Sequence, residues 1–186
     1  MIVPIRGFVD ANVLVSTWVT DVVLTLAERG LAEPRWSSAV LAEAEEAFVR
    51  MRRGKAWAGR YLSQVDAVVP FACVEIDEAD LERIELPGPD DRHVVAAALA
   101  SGCALVVTYN LKDFPDEALA PLGLRAIHPD EFLMQAAQSA PDAVAEAVRS
   151  LTLAKRHPPR SMSEEIEGLR KTRLARFADF IEGRVD

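Results

Sequence analysis

The sequence predicts an α/β protein, a three-layer sandwich around a central parallel sheet, with a helical appendage at the C-terminus. Three observations lead there. Short apolar runs bounded by breakers alternate with longer segments whose apolar residues recur at helical spacing. The run ending at Val9 and the run Ala104–Thr108 are apolar enough for strands buried on both faces. From Pro141 onward the composition turns Ala-rich and then basic, with no further strand pattern. A chain of 186 residues can bury one good core with an added element, but hardly two full domains. The division falls at residues 1–138 and 139–186.

The elements follow in order. After the first strand, Val15, Val19, Val22, Val23 and Leu26 place a helix over Val13–Arg29, stopped by Gly30. Pro34–Ser37 reads as a short strand. Ser37 or Ser38 then caps a helix from about Ala39 to Arg53, with Leu41, Ala44, Ala47 and Phe48 on one face. Trp57–Val69 is a second helix, ended by Pro70. Ala72–Ile76 reads as a strand and Glu78–Glu85 as a short acidic helix. Pro87, Gly88 and Pro89 break the chain, and Asp90 or Asp91 caps a helix over Arg92–Ala100. Gly102 ends it, Ala104–Thr108 follows, Arg125–Ile127 is an edge strand and Pro129–Gln138 a helix. In the appendage, Pro141–Ala154 is helical, His157–Ser161 breaks it, and Ser163 opens a last amphipathic helix. Its Leu169, Leu174, Phe177, Phe180 and Ile181 are too apolar to stay exposed. They must cover the rest of the chain, a second copy in a homodimer, or a partner.

Composition narrows the class. Half the residues are hydrophobic and 27% charged, a globular profile. The apolar runs are too short for a bilayer span, and MIVPIRGFVD holds no signal-peptide core. A cytoplasmic protein without a membrane partner is expected. Cys73 and Cys103 lack metal-type spacing and read as free thiols. The net charge of −8 argues against a polyanionic partner, but it is unevenly spread. Residues 1–148 hold 12 Lys and Arg against 23 Asp and Glu, and residues 149–186 hold 9 against 6.

The carboxylates are the candidate chemistry. Asp10 ends the first strand, while Thr108, Asn110 and Asp113 lie at or beyond the end of Ala104–Thr108. In an open parallel sheet that edge is where sites form. If the two strands are neighbours, Asp10 faces Asp91 and Asp113. Bland readings stand beside most of these. Asp90 and Asp91 can cap a helix, Glu43 can be a solvated face, and Asp113 an Asx-turn residue. Asp10 resists such a reading, because a carboxylate ending a buried strand is costly unless paired or metal-bound. His93 reads as a helix-surface residue, and His128 and His157 are isolated. No Ser-His-Asp or Cys-His arrangement supports covalent catalysis.

VDANVL, SSAVLAE, DDRHVVAAALASG and VTYNLKDF occur in the order and rough spacing of PIN-domain ribonucleases. The chain resembles that family over roughly Ile2 to Leu133, and most closely its branch of VapC-type toxins from bacterial toxin–antitoxin pairs. The resemblance implies a PIN-like sandwich and metal-dependent cleavage of RNA, with Mg2+ as cofactor, Mn2+ as a substitute, and a cognate antitoxin as partner. By position Asp10, Glu43, Asp91 and Asp113 match the four family acids. Asp10, Asp91 and Asp113 would hold metal, and Glu43 would be a ligand or water-positioning base. Asn110 matches a position often filled by Asp or Asn, and Asn12 is a polar neighbour of the first acid. Thr108 and Asp90 are accessory. Asp91 is preferred to Asp90 because the apolar face of Val94, Val95 and Ala98 follows it at the family's offset.

Arg50, Arg52, Arg53, Lys55 and Arg60 come without an intervening acid, interleaved with Trp57 and Tyr61. They read as an RNA-backbone strip, as the antitoxin-docking surface the resemblance implies, or as helices whose aromatics are core. The alternative to an enzyme is a non-catalytic PIN scaffold that binds RNA or a protein. A haloacid-dehalogenase-type phosphatase needs a second Asp two residues after Asp10, where Asn12 stands. All four acids precede the appendage, so a chain ending near Gln138 is expected to keep cleavage.

Overall fold

In the computed structural model, residues 3–77, 81–82, 84–86, 88–156 and 158–185 are described. Five strands form one parallel sheet: β1 (Ile5–Val9), β2 (Ala32–Ser37), β3 (Cys73–Val74), β4 (Leu105–Val107) and β5 (Arg125–Ile127). Their order is β3-β2-β1-β4-β5. Phe8 stands beside Arg35 on one side and Val106 on the other. Phe8, Val9, Val106 and Val107 are almost wholly buried, as strands covered on both faces must be. Gly7 is fixed by this crowding: a Cβ there would lie 2.8 Å from Val107 and 2.9 Å from Phe132.

Helices flank the sheet: α1 (Ala11–Leu14), α2 (Thr17–Glu28), α3 (Ser38–Arg50), α4 (Lys55–Val68), α5 (Arg92–Ala100), α6 (Asp116–Leu119) and α7 (Pro129–Ser139). The single helix expected over Val13–Arg29 is two. Ser16 adopts an extended backbone, and the Thr20 hydroxyl donates to the Leu14 carbonyl at 3.1 Å, satisfying an acceptor that the break releases. The expected caps are partly realised. Ser37 Oγ accepts the Val40 N–H, but no side-chain bond caps α5, although Asp91 occupies its N-cap position. The acidic helix expected over Glu78–Glu85 includes residues 78–80 and 83, which lie outside the described residues.

The C-terminal part is α8 (Pro141–Ala154), α9 (Met162–Lys171) and α10 (Ala175–Val185). A capping box between Ser161 and Glu164 opens α9, two residues before the expected Ser163. The one amphipathic helix expected there is also two, turning a corner at Thr172–Leu174. Asp130, at the start of α7, accepts the N–H groups of Arg176 and Phe177 at 3.3 and 2.9 Å. It thereby satisfies the open end of α10 from another helix. Leu169, Leu174, Phe177 and Ile181 are fully buried in the same core as Phe8 and Val106. Of the three covers open to this apolar face, the chain's own core is the one realised. The appendage is structurally part of the same body as the sheet.

Buried charge fastens it. Glu165 is inaccessible and is met by Lys155 at 3.0 Å and Arg160 at 3.4 Å, while Lys155 also reaches Asp21 of α2 at 3.2 Å. The Trp18 ring lies so close to Gly168 that a Cβ would stand 2.1 Å from it. Gly168→Ala is therefore expected to destabilise the protein by about 1–3 kcal/mol, the usual cost of overpacking. A lowered urea midpoint at unchanged m-value would show it, and an unchanged midpoint would mean the ring is free to move aside.

Candidate active site

β1 lies between β2 and β4, so the order of crossover reverses at the β1–β4 pair. A crevice opens beyond the carboxyl ends of strands at such a point. Asp10 leaves β1 there, its N–H bonded to the Val107 carbonyl at 3.0 Å, and it is 8% exposed. Asp10 Oδ2 accepts from Asn12 Nδ2 at 2.5 Å and Thr108 Oγ1 at 2.7 Å. Asn12 Nδ2 also donates to Thr108 Oγ1 at 2.8 Å, and Asn12 Oδ1 accepts the Tyr109 N–H at 3.1 Å. Thr108 Oγ1 accepts the Asn110 N–H at 3.0 Å. The two strand ends are thus tied through Asp10. Burial raises the Asp10 pKa most; bonds from Thr108 and Ala11 oppose that, and the charges of Glu43 and Asp91 add to it.

Asp91 and Asp90 sit in a 3-10 turn, Pro89–Asp91, but differ in setting. Asp90 is exposed and Asp91 half-buried. The Asp91 pKa is raised by burial and then by Asp113 and Glu43, with His93 opposing and Asp90 adding. Asp113 ends a second 3-10 turn, Leu111–Asp113, and accepts a short bond from Asn110 Nδ2. Glu43 arrives from α3, its Oε1 2.8 Å from His93 Nε2. Four carboxylates from four segments therefore share one electrostatic neighbourhood.

His93 is what the sequence reading misplaced. It is not a surface residue: its side chain is 14% exposed and clamps Glu43. That bond, ahead of opposing burial, raises the His93 pKa, as do the charges of Glu43, Asp10 and Asp91. Its position two residues after Asp91, in the first turn of α5, was the available signal.

The basic cluster divides. Trp57 and Tyr61 stack at 5.3 Å and both meet Phe48 edge-on, so the aromatics build the α3–α4 contact and do not offer free stacking faces. Arg53 lies over Trp57 at 5.0 Å and Arg50 is 3.6 Å from Glu46. Arg52, Lys55 and Arg60 are exposed. The leading charges on Asp10 and Asp91 come from Glu43, Asp90, Asp91, His93 and Asp113, none of them in the cluster.

The donors around the crevice are carboxylate, amide and hydroxyl oxygens, the set that hard divalent cations prefer. Their mutual repulsion is what a cation would relieve. As placed, no three Asp, Glu, His or Cys side chains among the described residues converge closely enough to hold one ion.

A parallel sheet that gathers four acids where its strand order reverses defines an α/β protein with an acidic crevice. The PIN domain model matches residues 6–112, more than half the chain, and the chain belongs to the PIN-domain family. The model of the VapC50 C-terminal domain matches residues 129–183, which covers most of α7 to α10. The chain is also similar to a protein of Mycobacterium tuberculosis (strain ATCC 25618 / H37Rv) named "Putative ribonuclease VapC50". The two are 54% identical over 44 residues, 24% of this chain and 26% of that protein. The chain thus aligns with about a quarter of that relative's length. No solved structure matches the chain significantly. Among the described residues no helix is long and apolar enough to cross a membrane.

Proposed function

We propose that the chain is a metal-dependent endoribonuclease that hydrolyses RNA phosphodiester bonds, and the toxin of a type II toxin–antitoxin pair. The observation that carries this reading is the buried Asp10 at the β1–β4 switch, in the field of Glu43 and Asp91, with Asp113 acting on Asp91 in turn. Family membership supports the same chemistry. In this reading residues 1–138 carry the reaction and residues 139–186 form the helical extension.

Asp10, Asp91 and Asp113 would hold Mg2+, or Mn2+ in its place, one or two of them directly and the rest through its waters; when bound the ion supplies an activated water and neutralises charge on the phosphate and leaving oxygen. Asn12 and Thr108 orient Asp10 through its Oδ2. Asn110 does the same for Asp113. Glu43 takes the proton of the attacking water while His93 Nε2 holds its Oε1 in place. Asp90, facing solvent, takes no part in the reaction.

A shallow groove of about 400 Å3 along α3 and α4, lined by Ala42, Glu45, Glu46, Val49, Arg50 and Lys55, supports the docking of an antitoxin there. Val49 and Met51 are exposed beside the hairpin turn. The same cluster, Arg50 to Arg60, is assigned to this partner and not to RNA. Co-purification with the product of a small reading frame immediately upstream tests that assignment.

The nuclease reading is tested by incubating single-stranded RNA with the full chain in millimolar Mg2+ or in chelator. Cleavage is expected only with the ion. Ion binding to the native state should also raise the melting temperature, by about 2.7 kcal/mol of stability at a hundredfold excess over Kd. Asp10→Asn should remove both effects. A melting temperature indifferent to Mg2+ and Mn2+, with no cleavage, would sink the proposal. An ion-dependent shift with RNA bound but uncut would favour the non-catalytic scaffold.

A further inference from the structure

The corner between α9 and α10 carries an arginine in a conformation that favours glycine. The Arg173 N–H bonds the Arg170 carbonyl at 2.9 Å and the Leu174 N–H the Leu169 carbonyl at 3.1 Å, a helix end whose last residue is left-handed. Arg173 has φ +67°. Such strain in a non-glycine residue points toward use of its side chain.

Further observations bear on that use. Arg173 is exposed, and its guanidinium lies 5.5 Å from the centroid of the Tyr109 ring. It forms no ion pair among the described residues, whereas neighbouring Arg170 binds Asp179 and Glu182 and Lys171 binds Glu167. Tyr109 connects this corner to the crevice. Its N–H donates to Asn12 Oδ1, and its phenol OH donates to the Thr172 carbonyl at 2.7 Å. Lys112, in the turn that ends on Asp113, is likewise exposed and forms no ion pair among the described residues.

We infer that Arg173, supplied by the C-terminal helices and held against Tyr109, binds a backbone phosphate of single-stranded RNA beside the acidic crevice. The inference rests on the nuclease reading. An acidic crevice repels a polyanion, so an unpaired cation on its rim offsets that repulsion where the strand must pass. A guanidinium stacked on a ring is already oriented and loses little freedom when it forks onto a phosphate.

The test is fluorescence polarisation with a labelled, mixed-sequence single-stranded RNA at several salt concentrations in millimolar Mg2+. The full chain carrying Asp91→Asn, to prevent cleavage, is compared with the same chain carrying Arg173→Gly or Arg173→Lys. Arg173→Gly is expected to weaken binding and reduce the slope of log K against log salt by about 0.7, one phosphate contact on a single strand. Its melting temperature should be unchanged or higher, because glycine suits the corner. Arg173→Lys should restore most of the slope. An unchanged slope in Arg173→Gly would overturn the assignment and leave the arginine for a protein partner. A lowered melting temperature with an unchanged slope would make the residue purely structural. If the Asp91→Asn chain binds no RNA in any salt, the nuclease reading itself fails, and this inference with it.

Discussion

Asp91→Asn is expected to lower RNA cleavage by at least about 10²-fold, the scale on which one preorganised charge-stabilising group acts, while Asp90→Asn keeps most activity. The two residues are adjacent, and the amide is isosteric with the acid in both. What separates them is setting. Asp90 is exposed, and Asp91 turns into the field of Asp113 and Glu43 with no capping bond to occupy it. The stability change should run opposite to the activity change. The native Asp91 pKa is raised above 3.8, so the native state holds its proton longer than the unfolded chain. Metal-free stability from this group is present below the unfolded pKa and is lost as pH rises through the native value. At neutral pH, Asp91→Asn should therefore melt no lower than the parent in chelator, and the gap should close toward pH 4. Equal losses of activity from both substitutions would show that the crevice does not distinguish the pair.

A chain ending at Gln138 is expected not to hold a cooperative fold. The sequence suggested the opposite, since all four acids precede that point. In the structure, removing the last helices strips Val144, Val148, Ile166, Leu169, Leu174, Phe177 and Ile181 from the core. Each fully buried side chain of this size contributes about 1.5–3 kcal/mol, against a net stability of about 5–15 kcal/mol for a whole domain. Asp130 would lose both N–H partners, and Trp18 its cover from Gly168. Circular dichroism on heating is the check. A sharp transition in the shortened chain near the temperature of the parent would show that the core closes without these helices.

The contrast marks what is legible locally. α5, β5 and α8 match their expected limits because proline, glycine or a change of period stands at their ends. The breaks at Ser16 and at Thr172–Leu174 were hidden because the apolar spacing runs straight through them. The second is also turned by an arginine where a glycine would have announced it. The neighbourhood of Asp10, Asp91 and Asp113 could be anticipated from strand ends in a parallel sheet. His93 was legible only in its place two residues after Asp91; its partner, Glu43 on α3, is one that no local pattern reaches. Trp57 and Tyr61 misled for a related reason: aromatics among arginines look alike whether they face solvent or a neighbouring Phe48.

The wiring of Tyr109 and Asp10 has a consequence for the chain during synthesis. Asp10 emerges from the ribosome early, but its Thr108 partner lies 98 residues further on, and Tyr109 waits another 63 for Thr172. A central strand whose neighbours are so distant must close long loops before its contacts reward it, which delays ordering. The tie of Asp10 to Thr108 therefore forms only after β4 has been made, and that of Tyr109 to Thr172 only after α9 has followed.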